Sequence, residues 1–129
     1  TPDPTGSSGY AGIVKYPSKE VVWETASCGN NPHSIEILPS GNVVTASSTG
    51  STLRLYYSSD VLKKGDGNPQ RYLQYTLPDA HGVLWDPEYN VLWATGAQVL
   101  KAYSLSGDSG SYATLKANFS ERKLSAFVL

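Results

Sequence analysis

The sequence predicts an all-β fold, specifically a partial β-propeller of about two and a half four-stranded antiparallel blades. Three observations support this prediction. Short apolar strands recur at even spacing with turn signals between them, no amphipathic helical pattern longer than one turn is present, and one stretch of the chain occurs twice. A tandem four-strand unit favours a propeller over a sandwich or a barrel.

The duplicated stretch runs from His33 to Tyr56 and recurs, altered, from His81 to Tyr103. The first positions match at an offset of 48, and one deletion in the second stretch changes the offset to 47. A period in the high forties fits a propeller blade of about 40–50 residues. The matched pairs include His33 and His81, Ile35 and Val83, Ile37 and Trp85, Val43 and Val91, Val44 and Leu92, Thr45 and Trp93, and Tyr56 and Tyr103.

The chain divides into five predicted units. In order they are a flexible segment (1–9), an outer half blade (10–27), two blades (33–77 and 81–117) and a tail (118–129). Strands are predicted at 12–16, 20–24, 33–38, 43–47, 52–57, 72–77, 82–85, 91–95, 99–103 and 111–116. The polar insertion at 58–71 is predicted to hold one helical turn at 61–64, and the apolar end of the tail has the composition of a further strand.

Alternation in the strand at 33–38 puts Ile35 and Ile37 on one face and Ser34 and Glu36 on the other. The next four residues, Pro39 to Asn42, predict a hairpin turn. Proline presets φ at the start of a turn, and glycine and asparagine tolerate the positive φ that such turns need.

These strands resemble known propeller families. The segment Pro32 to Val44 is similar to the "PHS-x-E-x-LP-x-GN-x-V" strand pair of NHL-like and arylsulfotransferase-like propellers. Lys15 to Glu24, followed by a Pro-His strand, resembles those families and the quinoprotein-like propellers. Asp79 to Ala94 is similar to a functionally uncharacterised propeller family of fungi and bacteria. The resemblance implies a propeller fold over residues 10–120 and no particular activity.

The predicted blades are too few to close a ring, because single-chain propellers typically have 4–8 blades. The terminal blades would then expose apolar faces and strand edges. We expect the missing neighbours to be further blades of the same polypeptide or copies in a homo-oligomer. A partner that shelters an open stack of sheets is the third alternative.

Composition bears on the class of partner. The formal net charge is −1 and 16% of residues are charged, which provides no electrostatic reason to expect nucleic acid or an anionic membrane surface. No apolar run is long enough to insert into a membrane. Asn118 begins a glycosylation sequon, which favours an extracellular protein over a cytoplasmic one, and the single cysteine, Cys28, does not decide between them.

The candidate ligand-binding residues are His33, His81, Asp79, Trp85 and Asp86. Each histidine opens the first strand of its blade, which in a propeller lines the central channel near one mouth. They are candidates for a ligand site or for a structural hydrogen bond that recurs in each blade. Asp79 and His81 share a face of an extended chain, and with Asp86 they suggest a cation site, although spacing alone predicts no metal. Trp85 suits either sugar stacking or core packing.

The favoured function is that of a non-enzymatic ligand-binding or carbohydrate-binding scaffold, without cofactor or metal. The first alternative is part of a propeller enzyme of lyase, lactonase or sulfotransferase type, with His33 or His81 at the channel mouth as base or metal ligand. The second is a structural or filament subunit joined through blade edges. The sequence contains no Ser-His-Asp motif, phosphate-binding loop or zinc spacing that would select an enzyme.

Overall fold

The computed structural model describes residues 9–26, 28–57, 71–107, 114–117 and 122–123. Within these ranges the chain forms eleven β-strands and no helix. The strands make three antiparallel sheets. The predicted all-β fold is confirmed. The described residues form no closed sheet, so the number of propeller blades stays a prediction.

The strands follow the predicted order closely, because each predicted strand overlaps an observed one. Their bounds are β1 Ala11–Lys15, β2 Glu20–Thr25, β3 Pro32–Ile37, β4 Val43–Ser47, β5 Thr52–Tyr56, β6 Tyr72–Thr76, β7 Gly82–Asp86, β8 Val91–Gly96, β9 Val99–Ser106, β10 Thr114–Ala117 and β11 Arg122–Lys123. The helical turn predicted at 61–64 and the apolar end of the tail at 124–129 lie outside the described residues.

The three sheets are here called the first (β1–β2), the middle (β3–β6) and the last (β7–β11). In the middle sheet the strands lie side by side in chain order, and β7 to β10 do the same in the last sheet. On β9, Leu100 pairs with Thr95 of β8 on one edge and with Arg122 of β11 on the other. Further along β9, Tyr103 pairs with Ala117 of β10 on that same second edge. β10 and β11 therefore pair with the same edge of β9, one after the other along it.

The main core lies between the middle and last sheets. Strand pairing puts the core residues of each sheet on one face, and the two faces meet. The contributing side chains include Val44, Ala46, Leu53, Leu55 and Leu77 from the middle sheet, and Val83, Leu92, Ala94, Tyr103 and Leu115 from the last. The removal of this apolar surface from water is the dominant stabilising contribution.

A second, smaller core joins the first sheet to the opposite face of the middle sheet. Trp23 of β2 packs on Val43 and Tyr56, with Ala11 and Ile13 of β1 at its margin. The rings of Trp23 and Tyr56 meet edge to face with centroids 5.3 Å apart. At β4 the middle sheet is therefore covered on both faces, which is why all five residues of β4 are buried.

The first hairpin turn has the predicted chemistry. The Leu38 N–H donates to the Asn42 carbonyl at 2.8 Å, and Gly41 has a φ of 86°. In the corresponding turn between β7 and β8, Asn90 has a φ of 55°. A residue that tolerates positive φ therefore closes each turn.

Alternation along β3 is confirmed, but the side that faces the main core is the polar one. Ser34 and Glu36 point toward the last sheet, whereas Ile35 and Ile37 are 39% and 49% exposed. The reason is tertiary: the polar side chains of β3 form hydrogen bonds to the neighbouring sheet. Isolated exposed apolar residues are common in folded proteins, but two on one strand face mark an uncovered surface.

The register of β8 corrects part of the sequence match. Thr45 and Val43 lie on the face of β4 that packs on the first sheet, whereas Ala94 and Leu92 lie on the face of β8 that packs on the middle sheet. When sheets are compared by the face that packs on the preceding sheet, Thr45 corresponds to Ala94 and not to Trp93. Ile37 pairs with Val43 across five residues (38–42), whereas its counterpart Trp85 pairs with Leu92 across six (86–91), and this one extra residue shifts β8 relative to β4.

The other matched positions agree with this comparison of faces. Tyr56 packs on Trp23 of the preceding sheet, and Tyr103 packs on Tyr75 of the preceding sheet with ring centroids 6.4 Å apart. The first sheet thus packs on the middle one in the same sense as the middle packs on the last.

Candidate functional site

Two of the predicted site residues come together between sheets. His33 lies at the start of β3, in the middle sheet, and His81 directly precedes β7, in the last sheet. The centroids of their imidazole rings are 4.3 Å apart and the ring planes are inclined by 32°. Both side chains are exposed. The histidines therefore form one solvent-accessible pair and not two separate positions.

The pair is positioned by hydrogen bonds between β3 and β7. The Val83 N–H donates to Ser34 Oγ at 3.2 Å, and the Trp85 N–H donates to Glu36 Oε2 at 2.9 Å. The other carboxylate oxygen of Glu36 accepts from the Ile37 N–H at 2.8 Å. These side chains satisfy N–H groups on the edge of β7 that β8 does not pair, and they hold the two strands side by side.

Sequence reasoning missed Ser34 and Glu36 as positioning residues. The available signal was the position of a serine and a glutamate on one face of a strand flanked by apolar residues. A polar face on such a strand is ordinarily assigned to solvent, and only the arrangement of the neighbouring sheet shows that it faces inward.

Asp79 fixes the orientation and the tautomer of the neutral His81 ring. Nδ1 of His81 lies 2.8 Å from the Asp79 carbonyl oxygen and 3.2 Å from Asp79 Oδ1. Both oxygens are acceptors, so the neutral imidazole carries its proton on Nδ1. Nε2 of His81 is then an acceptor on the opposite side of the ring. The His81 and Asp79 side chains are 49% and 56% exposed, so both are in contact with solvent.

The backbone at Asp79 supports this arrangement. Asp79 has a φ of 52°, and Asn31, its counterpart before β3, has a φ of 57°. Aspartate and asparagine tolerate this left-handed conformation better than other residues with side chains. Asn31 Nδ2 donates to Ser48 Oγ at 3.0 Å, so the amide holds its own loop. The two histidines therefore differ, because the carboxylate is present beside His81 and an amide takes its place before β3.

Asp86 and Trp85 lie at the other end of β7 from His81. Asp86 Oδ1 accepts from the N–H groups of Glu88 and Tyr89 at 3.0 and 3.2 Å, and Oδ2 accepts from Trp93 Nε1 at 3.1 Å. The Trp93 indole and the two turn N–H groups lower the pKa of the Asp86 carboxyl, although burial acts in the opposite direction. Asp86 thus organises the β7–β8 turn.

The structure does not bring Trp85 or Asp86 to the histidine pair, because β7 is extended and separates its two ends. The Trp85 ring is partly buried against the main core, as the packing interpretation expected. His33, His81 and Asp79 remain as the cluster that the fold assembles from the sequence candidates.

Other sequence candidates contribute little to this cluster. Cys28 is fully buried, burial raises the pKa of its thiol, and its carbonyl accepts from Ser47 Oγ at 2.6 Å. Asn118 lies outside the described residues. In the part of the chain that is described, no group of three or more His, Cys, Asp or Glu side chains is arranged to hold a metal ion. No helix there is long and apolar enough to cross a membrane.

Comparison with known proteins assigns the chain to a family. The chain belongs to DUF6528, a family of unknown function, which matches residues 4–108. The match extends from the residues before β1 to just after β9 and so includes the histidine pair, the middle sheet and strands β7 to β9 of the last sheet. No curated protein and no solved structure matches the chain.

Proposed function

We propose that this chain is a non-enzymatic binding module of the propeller type, with its ligand contact at the His33–His81 pair. The observation that carries the proposal is the pair itself: two exposed imidazoles from different sheets lie 4.3 Å apart. A neighbouring carboxylate, that of Asp79, adds a hydrogen-bond acceptor within 3.2 Å of one ring. Exposed polar groups that converge from separate elements are the usual basis of a ligand contact.

The proposed ligand is a carbohydrate. Nε2 of His81 accepts a hydrogen bond from one hydroxyl, and the Asp79 carboxylate accepts one from a neighbouring hydroxyl. The imidazole faces provide flat surfaces beside these acceptors. Adjacent hydroxyl donors on a ring with an apolar face describe a sugar better than an anion, because the carboxylate repels negative charge.

The stacking of the sheets supports the propeller part of the proposal. The middle and last sheets each contain four consecutive antiparallel strands, and a tyrosine of each packs on an aromatic ring of the sheet before it. Sheets stacked repeatedly in one sense are characteristic of propeller blades. In that arrangement β3 and β7 are neighbouring inner strands, and the histidine pair lies at one mouth of the channel.

NMR titration tests the binding site directly. The chain has two histidines, so their ring-proton signals report on this site alone. A panel of neutral methyl glycosides and short oligosaccharides is added to the 129-residue chain, and we expect saturable shifts of both imidazole signals with at least one sugar. His81→Ala should abolish the shift of the His33 signal. Glu88→Ala, an exposed change in the β7–β8 turn, should leave the titration unchanged. Absence of shifts across the panel, or shifts of His33 that persist in His81→Ala, would contradict the proposal.

An enzyme of lyase, lactonase or sulfotransferase type is the second candidate, favoured by the same Asp79–His81 contact. A carboxylate that orients an imidazole while the far nitrogen stays unprotonated is the arrangement of a general base. Nε2 of His81 would then take a proton from the substrate. A time course with a uronate oligosaccharide, a sugar lactone, or an aryl sulfate together with an acceptor sugar separates the two functions, because an enzyme produces new ligand signals with the wild-type chain and not with His81→Ala. A binding module leaves the ligand spectrum chemically unchanged.

A further inference from the structure

The histidine pair has the donor groups of a metal site. His33 lies in the middle sheet and His81 directly before the first strand of the last sheet, and the centroids of their rings are 4.3 Å apart. Both residues are exposed, so the pair is in contact with solvent. Neutral imidazole is the commonest protein ligand of metal ions. The fold therefore places two such ligands side by side from separate sheets.

Asp79 provides the contact that a metal-binding imidazole usually makes on its other side. Such an imidazole donates its second ring N–H to a carboxylate or a backbone carbonyl, which fixes the tautomer and increases the basicity of the ligating nitrogen. Nδ1 of His81 has both kinds of acceptor, the Asp79 carbonyl oxygen at 2.8 Å and Asp79 Oδ1 at 3.2 Å. Nε2 is then the unprotonated nitrogen, which is the form that binds a metal.

The carboxylate of Asp79 lies on the Nδ1 side of the ring and so is not itself a ligand at Nε2. This agrees with the lack of a three-ligand group in the part of the chain that the structure describes. A site at the pair has two protein ligands, and water fills its other positions.

The separation of the rings indicates which coordination geometry fits. A metal lies about 2.0 Å from an imidazole nitrogen and therefore about 3.2 Å from the ring centroid. Two imidazoles at a right angle around the metal then have centroids about 4.5 Å apart, whereas two tetrahedral ligands have centroids about 5.2 Å apart. The observed separation of 4.3 Å is close to the right-angled value. Square-planar coordination by nitrogen and oxygen is typical of Cu²⁺ and Ni²⁺, and Cu²⁺ binds more tightly than Ni²⁺ or Zn²⁺ to a given site.

One of the two rings is held and the other can adjust. Asp79 holds His81, whereas Asn31, the counterpart of Asp79 before β3, donates to Ser48 Oγ. The ring planes are inclined by 32°, and a shared metal lies in both planes. Rotation of the exposed His33 ring about χ2, a broad torsion, brings one of its nitrogens toward the metal.

We propose that His33 and His81 bind one Cu²⁺ ion as neighbouring ligands of a square-planar site, in which Asp79 orients His81. The ion joins the middle sheet to the last sheet at the starts of β3 and β7. The proposal does not rest on carbohydrate binding, because Cu²⁺ should bind with no glycoside present. A chain that binds Cu²⁺ and no glycoside contradicts the proposed function alone, and a chain that binds a glycoside and no Cu²⁺ contradicts this proposal alone.

Isothermal titration calorimetry of the 129-residue chain without an affinity tag, with Cu²⁺ and glycine as a competing chelator, tests the site. His33→Ala and His81→Ala should each weaken binding by at least about tenfold, because the second imidazole binds intramolecularly at high effective concentration. The matched control is Glu88→Gln, an exposed change in the β7–β8 turn that should leave the affinity unchanged. The N-terminal amine also binds Cu²⁺, but it is present in every variant.

Asp79→Asn tests the orienting contact. Asparagine tolerates the φ of 52° at this position, as Asn31 does at 57°, and the backbone carbonyl of residue 79 is retained. Loss of such an outer contact reduces metal affinity about 10–100-fold, so we expect a reduction of about tenfold. Pulsed electron paramagnetic resonance of the Cu²⁺ complex should detect two coordinated imidazoles in the wild-type chain and in Asp79→Asn, and one in each single histidine variant. Circular dichroism checks that all variants are folded.

Four results would overturn the proposal. The first is wild-type affinity no higher than that of the double variant His33→Ala/His81→Ala. The second is a single histidine variant with wild-type affinity, since one imidazole would then be sufficient. The third is one coordinated imidazole in the wild-type spectrum. The fourth is tighter binding of Zn²⁺ than of Cu²⁺, which would contradict the right-angled geometry inferred from the ring separation.

Discussion

Substitution of Glu36 tests how the middle and last sheets are joined. Its carboxylate accepts from the Trp85 N–H across the sheet boundary, in a partly buried position, and from the Ile37 N–H at the surface. A hydrogen bond to a charged group contributes about 1.5–3 kcal/mol. Because the Trp85 bond is partly and the Ile37 bond fully solvent-exposed, we expect Glu36→Ala to lower the free energy of unfolding by about 1.5–2 kcal/mol.

Glu36→Gln is the matched variant, because it retains one carbonyl oxygen to accept from the Trp85 N–H and loses the charge. A neutral hydrogen bond contributes about 0.5–1.5 kcal/mol, so the loss relative to wild type should be about 1 kcal/mol or less. Urea unfolding monitored by tryptophan fluorescence measures both values, since Trp85 itself lies at the boundary. Glu88→Ala, an exposed change in the β7–β8 turn, is the control and should stay within about 0.5 kcal/mol of wild type.

The reasoning is refuted if Glu36→Ala unfolds at the wild-type urea concentration with an unchanged slope. That result would mean that water replaces the carboxylate at the edge of β7 without cost, and that apolar packing alone joins the sheets. An effect of Glu36→Gln as large as that of Glu36→Ala would also count against it, because the retained acceptor would then contribute nothing.

Two other predictions concern the core and a loop. Burial raises the pKa of Tyr56 from 10.0 to about 12, so the phenol stays protonated above pH 10 in the folded chain. The free energy of unfolding should therefore fall as the pH rises from 10 to about 12. Ultraviolet titration should show this tyrosine ionising last. An early ionisation in the folded chain would contradict this. Gly29 has a φ of 95°, and a Cβ there would lie 2.9 Å from Ser47 Oγ. We therefore expect Gly29→Ala to lower the free energy of unfolding, measured in urea, by about 1–3 kcal/mol. An unchanged free energy would contradict the argument from backbone strain.

Much of the secondary structure was predictable because its signals are local. Alternating apolar residues indicated the strands, and the proline, glycine and asparagine positions indicated the turns between them. Gly41 and Asn90 have the positive φ that turn chemistry requires. The meander order of β3 to β6 also follows from short connections, since strands joined by tight turns pair with their neighbours.

The bounds of β8 were predicted, but the match of its residues to those of β4 was one residue out, because sequence identity and side-chain direction conflict there. Val43 and Val91 are identical and match well along the chain, yet one extra residue between the paired positions Trp85 and Leu92 reverses the face on which β8 places each side chain. A shift of one residue moves every side chain of a strand to its opposite face. The sequence shows which residues are apolar but not which of the two faces the neighbouring sheet will cover.

Part of the candidate site could be predicted from the sequence, and part depends on the tertiary structure. The sequence by itself identified His33, His81 and Asp79 as candidates, and its strand period placed Asp79 and His81 on one side of the chain. That the two imidazoles meet was decided by the tertiary structure, through the hydrogen bonds from β7 to Ser34 and Glu36 on β3.

What the sequence determined about this protein is its set of strands and turns, since these depend on residues within a few positions of one another. The tertiary structure alone decided which sheet faces are covered and that Ile35 and Ile37 stay exposed. It also decided that Asp86 accepts hydrogen bonds within the β7–β8 turn, whereas Asp79 contacts the ring of His81. The physical reason is that sheet packing and side-chain hydrogen bonds join residues far apart in the chain, and a local pattern carries no information about which sheet will lie against it.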